Sequence, residues 1–177
     1  MKSNKSLNNK EVHLNDEEFI VSKTDLRGNL IYANRTFMQI SQYSEDQILY
    51  KNHNIIRHPD MPKAVFNLLW KTLKSGKEFF GFVKNNCADG SYYWVLANIT
   101  PQYDHNKDHI GYLSVRRKPP VSAIRTISDV YVQMKNLEAK AATPKEAIAK
   151  STEFLEQHLR QLNTDYQSYV INLFHSK

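Results

Sequence analysis

The chain has 177 residues, 41% hydrophobic and 24% charged, which is enough apolar content for a core and too much for a disordered chain. Lys plus Arg number 24 against 18 for Asp plus Glu, giving +6; that diffuse excess suits an anionic ligand and falls short of a nucleic-acid-binding stripe, and no nucleic-acid partner is expected. A single cysteine, Cys87, excludes an internal disulfide and a cysteine-built zinc site, and no run nears the ~20 apolar residues of a membrane span or the core of a secretory signal, so a soluble cytoplasmic protein is expected.

Residues 1–18 are polar and read as a mobile arm. Residues 19–22 and 30–33 read as a hairpin around Asp25-Leu26-Arg27-Gly28-Asn29, where Gly28 and Asn29 tolerate positive φ. Short helices follow. Asn34 can cap one carrying Phe37, Met38 and Ile40, and Ser44 with Gln47 three residues on is a capping box. Asp60 is placed to cap a helix over 61–75 that Gly76 ends, whose apolar residues cover more than one face. Strands over 79–86 and 92–100 flank the Ala88-Asp89-Gly90 turn, and a third covers 109–117. The predicted fold class is α+β: a five-stranded antiparallel sheet with helices on one face.

Pro119-Pro120 marks a boundary, dividing a domain over 19–118 from a helical tail over 119–177. One tail helix, over 121–142, carries a stripe of Ile124, Ile127, Tyr131, Met134 and Ala141. A second starts at Thr143-Pro144-Lys145-Glu146 and continues as one heptad seam: Ile148, Thr152, Leu155, Leu159, Leu162, Tyr166, Tyr169 and Leu173. This tail is expected to dimerise or dock a partner, with packing on the chain's own sheet as the alternative.

Several residues carry a resemblance. His53-Asn54 precedes the run Arg57-His58-Pro59-Asp60-Met61-Pro62-Lys63-Ala64; Trp70, Val83-Lys84-Asn85, Tyr93-Trp94-Val95, Ala97-Asn98, Gly111-Tyr112, Ser114 and Arg116 follow. With the element order, this set resembles the PAS sensor domain of bacterial aerotaxis receptors over about residues 19–118. The resemblance implies a PAS fold, bound FAD and the reporting of cellular redox state. The membrane helices and signalling coiled coil of such receptors do not follow here, so the expectation is a stand-alone form that signals to a separate chemoreceptor-type partner, as a homodimer.

FAD offers an anionic pyrophosphate and a flat ring that hydrogen-bonds along one edge. Arg57 and His58 could meet the phosphates at the helix start, or be a solvated surface pair; Asp60 could orient them or only cap the helix. Trp70, with Phe66 one turn earlier, could stack on a ring or pack in the core. Asn85 shares a strand face with Phe79, Gly81 and Val83, and could meet the ring edge or sit exposed at the strand end. Asn34 has a similar role available beside helix capping. Arg116 could favour a reduced, anionic ring or form an ion pair at the sheet edge.

Flavin photoreceptors of the PAS class carry an adduct-forming Cys on the helix beside the ring, and residues 53–60 hold none, so light sensing of that kind is not expected and Cys87 is given no role. A heme b alternative would use His53 or His58 as axial ligand. A cofactor-free interaction module, its pocket filled by side chains, is the third reading. No Ser-His-Asp order, phosphate-binding loop, paired carboxylates or His-x-x-x-His helix indicates an enzyme.

Overall fold

A computed structural model describes residues 7–176. Its five strands are β1 (Ile20–Thr24), β2 (Leu30–Ala33), β3 (Phe79–Asn86), β4 (Tyr92–Tyr103) and β5 (His109–Arg117), and its helices are α1 (Arg35–Ser41), α2 (Glu45–Ile48), α3 (Lys63–Lys74), α4 (Val121–Ala139), α5 (Pro144–Gln161) and α6 (Tyr166–His175). A 3₁₀ turn spans His53–Ile56. The strands form one sheet in the order β2-β1-β5-β4-β3, and each neighbouring pair in it is antiparallel. The α+β expectation therefore holds. Its first hairpin turns at Gly28, φ +81°, while Asn29 needs no positive φ.

The register brings alternate residues of four strands onto one face. Ser22 pairs with Ser114, Thr24 with Tyr112, Ala97 with Arg116 and Asn85 with Tyr93. Helix α3 packs over this face through buried Ala64, Val65, Leu69 and Leu73. The first hairpin is tied to the 3₁₀ turn: the His53 N–H donates to the Gly28 carbonyl, and Asn52 Nδ2 donates to the Arg27 carbonyl at 2.9 Å.

Three expectations are corrected. The helix expected over 61–75 begins at Lys63, with Pro62 at its N-cap, so Asp60 is not its cap. The reason is Pro62, which disfavours helical geometry at Met61 and offers no side-chain acceptor. The acceptor comes from another helix: Glu138 Oε1 takes the Ala64 N–H at 3.1 Å.

The single heptad seam is cut. Helix α5 ends in a Schellman turn, with Asn163 at φ 50° and the Thr164 N–H donating to the Leu159 carbonyl; Asp165 then caps α6 by accepting from the Ser168 N–H. Leu162, a seam residue, is half exposed. The helices pack on their own chain: Tyr131 Oη donates to the Phe82 carbonyl on edge strand β3, and Tyr166 stacks on Phe79. Ile127, Met134 and Val170 have no exposed surface.

The N-terminal arm is also held. The Val12 N–H donates to the Tyr92 carbonyl, the Tyr92 N–H to the Lys10 carbonyl, and Leu14 is buried. The arm's residues 1–6 lie outside the described residues.

Candidate functional site

Between α3, the 3₁₀ turn and the inner sheet face lies a cavity of about 330 Å³. Its floor is Val83, Asn85, Ala97, Ile99, Tyr112, Ser114, Arg116, Ser22 and Thr24, and α3 contributes Phe66, Leu69, Trp70 and Leu73. Arg27, Asn52, His53, Asn54 and Arg57 complete the wall. Among the described residues the lining holds three arginines and one histidine, and no carboxylate.

Of the sequence-derived candidates, Arg57, Phe66, Trp70, Asn85 and Arg116 meet at this cavity. Asn85 is 3% exposed, and its Nδ2 has no hydrogen-bond partner; Ser114 Oγ is orphaned in the same way. A buried amide donor without an acceptor costs on the order of 1–3 kcal/mol, and this one lies on the cavity lining.

Arg116 is buried, donating to Ser22 Oγ at 3.1 Å and to His53 Nε2 at 2.7 Å. The sheet-edge ion pair does not form. Burial lowers its guanidinium to about 10, which leaves it charged at neutral pH. A guanidinium only donates, so His53 Nε2 accepts and carries no proton. Burial, and then the Arg116 charge, hold His53 well below the usual histidine range.

Arg57 is half-buried, its guanidinium 4.0 Å above the Phe66 ring. The Asn86 side chain donates to its carbonyl, pinning it beside β3. Trp70 stands partly exposed at the rim, its ring edge-on to Tyr112 at 5.4 Å and beside Gly28 of the first hairpin.

His58, Asp60 and Asn34 do not line the cavity. His58 is buried with Nδ1 accepting the Asp60 N–H, and burial, helped by the Lys84 charge and opposed by Asp60, lowers it to about 4. Asp60 pairs with Lys84 at 2.7 Å; burial opposes its charge, but the Lys84 bond and the neighbouring positive groups bring it below the usual carboxylate range. Asn34 is spent on structure: Oδ1 accepts from the Val21 and Phe37 N–H groups, and Nδ2 donates to the Phe19 carbonyl. Nor is the α3 N-terminus open to a phosphate, because the Glu138 carboxylate already sits there.

Sequence reasoning passed over Ser22, Thr24, Ser114, Arg27 and Asn52 as site residues. A signal was present: Ser22 and Thr24 on β1, and Ser114 and Arg116 on β5, place polar side chains at the inward period of otherwise apolar strands, which marks a polar cavity. Cys87 is buried off the cavity, its thiol donating to the Ile40 carbonyl.

Residues 30–116 match the PAS fold family. This chain carries a PAS domain. It is 37% identical over 131 residues to the aerotaxis receptor of Escherichia coli (strain K12), covering 74% of this chain and 26% of that protein. Against the nitrogen fixation regulatory protein of Klebsiella oxytoca it is 32% identical over 102 residues, 58% of this chain and 21% of the relative. The chain thus spans about a quarter or less of the length of these two relatives. A light-oxygen-voltage domain, studied with a flavin analogue, superposes with a TM-score of 0.55 at 21% identity, covering 70% of this chain and 87% of that one, which shows the shared PAS fold. Among the described residues no helix is long and apolar enough to cross a membrane, and no cluster of three or more His, Cys, Asp or Glu could hold a metal.

Proposed function

We propose that this PAS domain is a redox sensor whose cavity holds the ring of a flavin, specifically FAD, and that it signals to a separate chemoreceptor-type partner. The observation that carries this reading is the cavity floor. Asn85 Nδ2 and Ser114 Oγ lack partners, Arg116 has no acid beside it among the described residues, and the charged side chains of the described lining are all arginines in an otherwise largely apolar wall. A ring with hydrogen-bonding atoms on one edge and phosphates on its tail answers both features. When bound, a flavin supplies redox chemistry and gains negative charge on reduction. Arg116, in a site of low dielectric, is stabilised by any negative charge that arrives there.

The chain's own residues argue against the alternatives. A heme reading needs a histidine nitrogen directed at the iron; His53 Nε2 is engaged by Arg116, and His58 lies outside the cavity. A cofactor-free module would fill the pocket with side chains, whereas about 330 Å³ stays open. The likeness to an aerotaxis receptor supports sensing rather than catalysis and a signalling partner; a cytoplasmic setting is part of the proposal. Homodimerisation is part of the proposal, and analytical ultracentrifugation reads it directly.

The deciding experiment is the absorbance spectrum of purified protein, followed by chromatography of the released chromophore. Flavin bands with FAD released support the reading. FMN would change the cofactor, a Soret band would select heme, and a colourless protein that takes up no added FAD would sink the proposal.

A further inference from the structure

Glu138 is a buried carboxylate that the sensing site leaves unexplained. It sits in the last turn of α4, its side chain 3% exposed. Its Oε1 accepts the Ala64 N–H at 3.1 Å, across 74 residues of sequence. Ala64 is the second residue of α3, the position an N-cap side chain ordinarily serves, and the local N-cap residue, Pro62, has no side chain able to do so. Its Oε2 has no hydrogen-bond partner, and the ammonium of Lys135 stands 3.9 Å away.

We propose that Glu138 is a positioning residue that caps α3 from the C-terminal helices and so couples those helices to the cavity wall. The wall on this side is α3 itself, through Phe66, Leu69, Trp70 and Leu73. Arg57 closes the cluster. Its guanidinium rests on the Phe66 ring of α3 and lines the cavity, while the Glu138 charge helps keep it protonated against the cost of burial. Arg57 therefore joins the cavity to the first turns of α3, the helix that Glu138 caps. An anionic group in the cavity draws on Arg57 and, through the Phe66 ring beneath it, shifts α3 against its Glu138 cap, and a displaced Glu138 uncaps the helix that lines the cavity. Coupling of this kind acts equally in both directions. The capping role stands on its own contacts; the identity of the anion rests on the flavin reading.

Hydrogen–deuterium exchange on the full chain, with no cofactor added, tests the coupling. Glu138→Ala should raise exchange at residues 63–66 and in the last turns of α4 about tenfold, with β4 and β5 amides unchanged as the internal control for folding. Glu138→Gln keeps an oxygen acceptor and should hold residues 63–66 within about threefold of the wild type. Arg57→Ala, a change on the cavity wall, should loosen the last turns of α4 by about threefold or more. The proposal is overturned if Glu138→Ala leaves residues 63–66 as protected as before, if the Gln and Ala variants lose protection equally, or if Arg57→Ala leaves α4 unmoved. None of these measurements uses flavin, so a failure of FAD to bind is a separate result, read from the absorbance spectrum.

Discussion

Asn85 shows most directly how function and stability separate at a single residue. Its orphaned Nδ2 is a cost in the ligand-free protein. Asn85→Leu should therefore leave the cofactor-free chain as stable as the wild type or more so in urea, while flavin retention falls by at least about tenfold, which is ~1.4 kcal/mol. Loss of stability in the empty protein would show that the amide is structural. His58 provides a second test, through pH. Its folded pKa of about 4 lies below the ordinary histidine value of 6.5, so the unfolded chain binds a proton that the folded chain refuses. Stability is then fully present above about pH 6.5 and falls as pH drops towards about 4; His53, lowered by burial and Arg116, acts in the same direction. The lowered Asp60 carboxyl adds its loss only below its ordinary value of 3.8. His58→Asn, which keeps an acceptor near the Nδ1 position, should flatten the slope between pH 6.5 and 4, measured by urea unfolding at each pH; an unchanged slope would assign the effect elsewhere.

The elements obey local rules except where another element intervenes. Turn glycines, the Asn34 cap and the strand limits of β3 and β5 follow from the sequence, because each depends on neighbours within a few residues. The break at Asn163 was equally local: Asn163-Thr164-Asp165 holds both a left-handed C-terminal residue and the next cap, and the four-three apolar spacing concealed it. The start of α3 was not local, since its acceptor comes from Glu138. Gly111 shows close approach between elements. A Cβ there would collide with the Thr24 carbonyl oxygen, backbone that cannot swing aside. Gly111→Ala should cost about 1–3 kcal/mol or more, read as a lowered Tm, with raised amide exchange concentrated at the β1–β5 pairing; a neutral effect would mean the two strands can separate at little cost.

At the scale of the molecule, the C-terminal helices cover an edge that would otherwise stand open. Strand β3 is one of the sheet's two outer strands, and Tyr131, Tyr166 and the 57–61 segment occupy its flank. The division at 118/119 proposed from Pro119-Pro120 can be tested by removing residues 119–177. That truncation strips Ile127, Tyr131, Met134 and Val170 from the core, along with the Glu138 cap. The shortened protein should melt at least ~10 °C lower and aggregate through the exposed β3 edge, followed by differential scanning fluorimetry and light scattering. An unchanged Tm with a monodisperse product would make 19–118 an independent unit.

The sequence by itself determined the strands, their hairpins and the α+β class, because turn chemistry and apolar period act over short stretches of chain, and its motifs from Arg57 to Ala64 onward carried the likeness to PAS domains. It also pointed to Asn85, Arg116, Arg57, Phe66 and Trp70, which do meet at one cavity. Only the tertiary structure decided that His58, Asp60 and Asn34 serve the framework, that no acid among the described lining residues balances Arg116, and that a tail carboxylate begins α3. The physical reason is the same in each case. A polar side chain takes its role from whichever partners the fold leaves within about 3 Å; for Asp60, Arg116 and Glu138 those partners lie tens of residues away, and even where a partner is near in sequence, as for His58 and Asn34, only the fold settles whether the side chain also reaches the cavity.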